Sequence, residues 1–294
     1  VPQVTAIGLG ELLWDVLPGG RQLGGAPANF AFHANSLGGV GVPVSRVGDD
    51  ALGREALALL AERGLCPDHV SVDSAHPTGT VDAVLDEAGV ASYVFPDDVA
   101  WDHLAFDQRT TALAASAQVV CFGSLAQRSP VSRRAVRSLL RGAPDALIVF
   151  DVNLRQNFYD QDVIRASLRL ADVLKINDDE LRVLTRLFCL PHDERAALET
   201  LLCRHDLALA VLTRGARGSL LVSSGAASDL PGRSVPVVDT VGAGDAFTAA
   251  FSLAYLAGAS LDEINRYASA VAAHVCGRAG AMPPMDPALR IDRM

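Results

Sequence analysis

Along most of the chain, short apolar runs alternate with longer stretches of helical spacing, and this pattern predicts the elements. Val4 to Leu9 is the first apolar run, and Leu12 to Leu17 is a second extended piece that carries Asp15. Pro18-Gly-Gly20 marks a turn. Pro27 stands where a helix can start, and Ala28 to Leu37 has helical spacing. Val42 to Val47 reads as a strand, and Gly48-Asp-Asp50 opens a helix that ends near Gly64. Beyond Trp101, helices are expected over Leu104–Ala115, Pro130–Arg141, Val163–Leu170, Asp178–Leu187, Glu194–Arg204 and Leu261–Val275. Strands alternate with them over Ala117–Phe122, Leu147–Asp151, Val173–Ile176 and Leu207–Leu212, and Ser219–Ser223 begins a hairpin-like pair. Near-continuous apolar strands between helices predict an α/β fold with a mostly parallel sheet covered on both faces.

One stretch interrupts the alternation. Thr80–Leu85 and Val90–Phe95 are extended runs joined by Asp86-Glu-Ala-Gly89, a hairpin turn signal. They predict a small accessory sheet or lid, whose exposed face needs a ligand or a partner chain to cover it. Near the C-terminal end, a β-like run over Ser234–Val238 leads into Asp239-Thr-Val-Gly-Ala-Gly-Asp-Ala-Phe247. A small-residue helix over roughly Asp245 to Ala257 leads out.

Gly242, Ala243 and Gly244 allow close backbone approach to a ligand, and a helix start offers unpaired N–H groups and partial positive charge. Together these make an anion site. Asp245 beside it is repelled by an anion, so it suits a group that takes a proton from whatever attacks the anion. That is the chemistry of phosphoryl transfer with Asp245 as general base. The other reading makes Asp245 an ordinary N-cap on a Gly-rich turn, and both stand at this point.

Ligands of open α/β sheets sit at the carboxyl ends of the strands, and polar residues collect there. Asp151 and Asn153 follow one strand, Lys175, Asn177 and Glu180 a second, Thr213, Arg214 and Gly215 a third, and Asp239 a fourth. Four such ends point to a site. Asp151, Asn153 and Arg155 share one face if the chain stays extended, which suits contact with a sugar or a phosphate; the other reading is an Asx-rich turn. Asn177 and Glu180 share a helix face, which suits either a metal-bound water or phosphate or a capping box; the two are compatible if Asn177 alone caps and Glu180 points outward. Thr213 to Gly218 is either a nucleotide loop or a plain strand-to-strand turn. Gly24-Gly25 beside Asn29 suits hydrogen bonds to several hydroxyls, or close helix–strand packing. Gly8-x-Gly10 lacks the third glycine of a dinucleotide fingerprint, which disfavours a Rossmann dehydrogenase, and there is no P-loop motif.

Composition narrows the classes further. The chain has 294 residues, 50% of them hydrophobic and 20% charged, with a net charge of −9. That size allows a large core, and the absence of a dense Lys/Arg run argues against nucleic acid and membrane surfaces as partners. Five scattered cysteines without metal-ligand spacing suggest reduced thiols in a cytoplasmic protein. No secretory signal pattern and no run of about 18 apolar residues is seen.

Two stretches, Gly24-Gly-Ala-Pro-Ala-Asn29 and Asp239-Thr-Val-Gly-Ala-Gly-Asp-Ala-Phe247, resemble the two signatures of the ribokinase-like (PfkB) carbohydrate kinases. Gly48-Asp-Asp-x-x-Gly53, Asp151-x-Asn-x-Arg155, Asn177-x-x-Glu180 and Thr213-Arg-Gly-x-x-Gly218 fall between them in the family's order. Within the family the chain is most similar to fructokinases, through Gly10-Glu-Leu-Leu-Trp-Asp15, Pro77-Thr-Gly-Thr80, Ala100-Trp-Asp102 and Gly280-Ala-Met-Pro-Pro284. The segment Ala273-His-Val-Cys-Gly-Arg-Ala279 departs from the family's usual Thr-Arg or Thr-Lys before the Gly-Ala.

The resemblance implies one three-layer αβα domain over 1–294, with a lid from about 11–24 and 77–100. It implies ATP and Mg²⁺, with K⁺ as a candidate further cation, and often a homodimer through the lid. It makes Asp245 the catalytic base, with the N–H groups of Gly242, Ala243 and Gly244 stabilising the transferring phosphoryl group. Asp15, Gly24, Gly25, Asn29, Asn153 and Arg155 would bind the sugar, with Tyr93 and Trp101 as further contacts from the lid. Lys175, Asn177, Thr213, Gly215, Gly218, Ala273 and His274 would line the nucleotide. Glu180 would reach Mg²⁺ through water, and Asp239 and Val241 are candidate ligands of the monovalent cation. The expected reaction is fructose to fructose 6-phosphate. The alternatives are a kinase for 2-keto-3-deoxygluconate, ribose or a nucleoside, the last needing stacking from Trp14, Tyr93 or Trp101, and a regulator that binds sugar or nucleotide without turnover.

Overall fold

The computed structural model describes residues 3–17, 20–85 and 91–293, the side chains at 17, 83–85 and 91–93 excepted. The hairpin turn expected at 86–89, and Pro18-Gly19 of the earlier turn, lie outside the described residues. In chain order the strands are β1 (Thr5–Leu9), β2 (Leu13–Leu17), β3 (Gly20–Gly24), β4 (Val40–Gly48), β5 (Val70–Asp73), β6 (Gly79–Leu85) and β7 (Ala91–Val94). They continue with β8 (Val119–Phe122), β9 (Leu147–Asp151), β10 (Val173–Asn177), β11 (Leu209–Thr213), β12 (Ser219–Ser223) and β13 (Ala226–Leu230). The helices are α1 (Ala26–Ser36), α2 (Ala51–Glu62), α3 (Gln108–Ser116), α4 (Pro130–Arg141), α5 (Gln161–Leu168), α6 (Asp178–Phe188), α7 (Glu194–His205), α8 (Ala243–Leu256) and α9 (Leu261–Cys276).

Nine strands form one sheet in the order β13-β12-β11-β10-β9-β8-β1-β4-β5. All neighbours are parallel except β11/β12 and β12/β13. Alternate residues of each strand feed two cores, as the period of two requires. Ile7, Val120, Phe122, Ile148, Phe150 and Leu174 face α3 to α7. Ala6, Val119, Cys121, Val149 and Val173 face α1, α8 and α9. Phe122 and Phe150 are fully buried and stack at 5.0 Å between ring centres. Each such side chain contributes about 1.5–3 kcal/mol of burial. The chain leaves β1 toward β4 in one direction and β8 toward β9 in the other. The strand order therefore reverses between β1 and β8, where such sheets open a crevice at their carboxyl ends.

The second sheet has four strands in the order β3-β2-β6-β7. Its root is buried on both faces. Leu13 and Val81 pack with Val99, Trp101 and Leu125 on one side, and Trp14 and Leu23 pack with Val47 and Leu60 on the other. Asp50 caps α2 by accepting from the Gly53 N–H at 2.7 Å, and it also accepts from the Thr78 N–H and hydroxyl at 2.8 and 2.7 Å. One carboxylate thus joins α2 to the start of β6. Behind the sheet, the Arg128 guanidinium lies 4.0 Å from the Trp101 ring centre and grips Asp102 through two hydrogen bonds of 2.8 and 2.6 Å.

Three local expectations fail. Ser234–Val238 is not a strand: Val237 and Val238 are exposed, and the Val238 N–H donates to the Cys276 carbonyl rather than to a sheet. β-branched composition alone suggested pairing where no strand edge lies alongside. The helix expected from Leu104 starts at Gln108, because the Asp107 side chain accepts from the Thr110 N–H and caps it there. β5 was not anticipated. Among the described residues, no helix is long and apolar enough to cross a membrane.

The Arg128–Asp102 pair is buried, with both side chains 7% exposed. Asp102→Ala leaves the Arg128 charge without its partner and is expected to cost about 3–5 kcal/mol of stability, read as a lowered denaturation midpoint.

Candidate active site

Gly242 ends the approach to α8 in a left-handed conformation (φ 77°), and a Cβ there would overlap the Ala281 carbonyl. Only glycine meets both demands. Ala281 is itself fixed, because its carbonyl lies 2.9 Å from Nε2 of the fully buried His33. Burial pushes the His33 pKa down to about 4, so the ring is neutral and Nε2–H is the donor. Gly242 is the N-cap residue, and α8 makes no side-chain cap. Asp245 lies inside the first turn, so the N-cap reading of Asp245 falls away. Of the three amides expected to form an anion hole, that of Ala243 donates to the Thr240 carbonyl at 3.3 Å. Those of Gly242 and Gly244 have no protein partner among the described residues, and neither has that of Asp245.

Asn29 Nδ2 donates to Asp245 Oδ2 at 2.7 Å and ties α1 to α8 across the crevice. Its Oδ1 is buried and without a hydrogen-bond partner. Removal from water and the nearby Asp151 charge push the Asp245 pKa up to about 6, against the pull of Asn29, Lys175 and Arg155. A helix N-terminus alone would lower it. Here burial and the Asp151 charge outweigh it, and the carboxyl is held above its ordinary range.

Lys175 is buried midway along β10, beside the end of β9, and pairs with Asp151 at 3.0 Å. Burial alone would lower its pKa, but Asp151, Glu180 and Asp245 hold it raised, so it stays charged. A Cβ at Gly244 would stand 3.2 Å from Lys175 Nζ, which places the ammonium against the start of α8. The second Asp151 oxygen accepts from the Thr248 hydroxyl at 2.9 Å.

Asn177 and Glu180 form a full capping box: Asn177 Oδ1 accepts from the Glu180 N–H, and Glu180 Oε2 from the Asn177 N–H. Glu180 does not point outward. It is buried, and its other oxygen accepts from the Leu154 N–H at 2.9 Å. That bond helps to turn the chain after β9. Asn153 takes a left-handed conformation (φ 43°), so the extended face expected for Asp151, Asn153 and Arg155 does not exist. Arg155 is exposed even so, and its charge acts on Glu11, Asp15 and Asp245 alike.

On the sugar-side expectation, Asp15 stands in β2, and a Cβ at Gly24 of β3 would run into its carboxylate. Burial raises the Asp15 pKa, opposed by Arg155. Gly25 (φ 111°) is the N-cap of α1, and a Cβ on it would meet the Glu11 carbonyl at 2.5 Å. The structure does not bring Trp101 to the crevice. It is 1% exposed, in the apolar root of the small sheet. Trp14 is likewise buried and donates to the Leu52 carbonyl. Tyr93 pairs with Ala83 in the backbone, and its side chain lies outside the described residues.

On the nucleotide-side expectation, Asn177 and Thr213 are direct neighbours across β10 and β11. Gly215 (φ 54°) has open space beside it, whereas Gly218 is held close to the Leu230 carbonyl and closes a turn on Arg214. His274 Nε2 is 3.0 Å from the Pro284 carbonyl, one residue after Ala273 on α9. Asp239 accepts from the N–H groups of Val241 and Gly280, both at 3.0 Å, and so joins the loop before α8 to the loop that carries Ala281. Val241 is exposed.

The parts of three participants were not read from sequence. Asp151 was read as a sugar or phosphate contact rather than as the partner of Lys175, and Thr248 was not singled out. Glu11 was quoted only within a motif. It is 2% exposed, its Oε2 has no hydrogen-bond partner, and burial pushes its pKa up to about 7. The signal was available: an acid directly after the first apolar strand of a parallel sheet sits at a carboxyl end.

A model of the "pfkB family carbohydrate kinase" matches residues 11–288. A fructokinase of Klebsiella pneumoniae is 31% identical over 283 residues, covering 92% of this chain and 90% of that one. Two crystal structures superpose along nearly the whole chain. A sugar kinase of Pyrococcus horikoshii in complex with ATP gives a TM-score of 0.80 at 28% identity, covering 95% of this chain and 94% of that one. A fructokinase of Xylella fastidiosa with bound ATP gives 0.82 at 26% identity, covering 96% and 94%.

A folded-state carboxyl with a raised pKa disfavours folding wherever it is ionised, that is, above the pKa of the unfolded chain. Asp245→Asn is therefore expected to raise the melting temperature at pH 8, and the gain should shrink as the pH falls through about 6 toward 4. A drop in melting temperature at pH 8 would show that the charge is stabilised rather than strained.

Proposed function

The chain belongs to the pfkB family of carbohydrate kinases, and on that premise we propose that it transfers the γ-phosphate of ATP to the primary hydroxyl of fructose. The observation that carries the reading is the Asp245 carboxylate, raised to about 6 and placed beside free backbone amides at the start of α8. A general base works best when its pKa lies near the operating pH. Asp245 takes the proton of the sugar hydroxyl, the hydroxyl oxygen forms a bond to the γ-phosphorus, and the bond to the bridging oxygen breaks to release ADP. The amides of Gly242 and Gly244 and the ammonium of Lys175 face the charge that develops on the phosphoryl oxygens. Asp15, lying over bare Gly24, and the open Oδ1 of Asn29 offer an acceptor-rich wall for sugar hydroxyls. Arg155 supplies the opposing cation.

The donor set suits a hydrated hard cation. Asp151, Glu180 and Asp245 set three carboxylates against the one ammonium of Lys175. Mg²⁺ carried with the triphosphate would meet Asp151 and Glu180 through water, since Glu180 keeps its amide bonds, and would offset phosphate charge. A monovalent cation at Asp239 and Val241 belongs to the same reading and rests on the family resemblance. So does a homodimer through the small sheet, whose edge strands β3 and β7 have no further strand beside them among the described residues.

Fructose is favoured over a nucleoside because the two tryptophans that could stack on a base, Trp14 and Trp101, are spent in the core. ATP consumption should be measured over fructose, ribose, 2-keto-3-deoxygluconate and nucleosides, with Asp245→Asn alongside. Fructose is expected to give the highest kcat/KM. Asp245→Asn should lose about 10²–10⁴-fold in kcat with nucleotide binding retained. A different best acceptor would remove fructose and leave the kinase; near-normal turnover by Asp245→Asn would remove the base.

A further inference from the structure

Away from the crevice, three ligand-type side chains meet at the root of the small sheet. His76 stands just before β6, and Asp98 and His103 lie just after β7. One ligand atom from each lies within 4.8 Å of the others. His103 Nε2 is 2.7 Å from Asp98 Oδ1, and His76 Nε2 is 3.7 Å from the same oxygen. Both rings are about one-quarter exposed and Asp98 more so, which leaves an entry path from solvent.

A fourth residue orients the first. The carboxylate of the buried Asp73 lies 3.0 Å from His76 Nδ1 and is itself paired with Arg46. A carboxylate accepts, so Nδ1 carries the hydrogen and Nε2, on the side of Asp98 Oδ1, is the ring nitrogen left for a metal. A carboxylate behind a histidine, fixing its tautomer, is the outer-shell arrangement that metal-ligating histidines use.

We propose that His76, Asp98 and His103 bind a divalent transition metal, with Zn²⁺ as the ion that suits them best. Two imidazoles select a borderline ion over Mg²⁺, which prefers all-oxygen, octahedral sites. Zinc takes nitrogen and oxygen ligands at about 2.0–2.2 Å in a tetrahedron, with the fourth position open here to water. The histidine rings stack at 3.5 Å between centres and must splay for both Nε2 atoms to point at one ion. Their exposure permits it. The bound ion would fasten the chain entering β6 to the chain leaving β7, and so brace the small sheet where it joins the main body. The site lies outside the groups assigned to phosphoryl transfer, so it stands or falls independently of the kinase reading.

The test is a calorimetric titration of chelator-stripped protein with Zn²⁺, without nucleotide or Mg²⁺, paired with the visible absorption of the Co²⁺-loaded chain. One equivalent per chain is expected, with the intense band of tetrahedral Co²⁺. His76→Gln and His103→Gln should each weaken binding about tenfold or more, and Asp73→Asn about 10–100-fold through lost orientation. His192→Gln, an exposed histidine elsewhere, should bind as wild type. Melting temperatures in chelator check that each variant folds, and Zn²⁺ should raise that of wild type but not of the two histidine variants. No saturable binding overturns the proposal, and so does binding left unchanged by either His76→Gln or His103→Gln.

Discussion

The burial of the Asp245 carboxylate beside the charge of Asp151 is the constraint around which the crevice is built. Asp245 is denied most of its water, and the Asp151 charge adds to the cost of ionising it. The rise of its pKa from 3.8 to about 6 corresponds to about 3 kcal/mol held against the ionised form. A helix N-terminus offers about 0.3–1 kcal/mol in the other direction, which is too little to cancel it. The fold supports this strain with specific neighbours. Lys175 and Thr248 hold Asp151, Asn29 holds Asp245, and Arg155 spreads positive charge over the acids that line the opening.

Each of those neighbours comes from a different element, and the topology is what brings them together. Asn29 enters on α1, packed against α8 on one face of the sheet. Asp151 and Lys175 come from adjacent parallel strands, β9 and β10, whose ends open on the same side. The turn at Gly242 is clamped from above by Ala281, which His33 fixes from α1. The small sheet adds Asp15, carried on a strand whose root is buried on both faces and joined to α2 by Asp50.

Much of this was legible from residues in order. Apolar runs located most of the parallel strands, because strands covered on both faces have little room for polar residues. The turn at 242–245 was legible because two glycines flanking an alanine before an acid serve few purposes. What stayed hidden depends on distance in space. Periodicity says nothing of the left-handed turn at Asn153, which follows from the Glu180–Leu154 hydrogen bond. Composition could not tell that Trp101 packs under Arg128 rather than facing a ligand, nor that Val237 and Val238 lie exposed with no strand alongside. The raised pKa of Asp245 stayed hidden as well, because the helix start is visible in sequence and the burial and the Asp151 charge are not.

The most direct measure of the account is kcat/KM against pH for the unaltered chain with ATP and its best sugar acceptor. A base with a free-chain pKa of about 6 predicts a plateau above that value and a tenfold fall per pH unit below it, from one proton. A rate that stays level down to about pH 4.5 would mean an ordinary carboxyl. It would contradict a base held in readiness by burial beside Asp151.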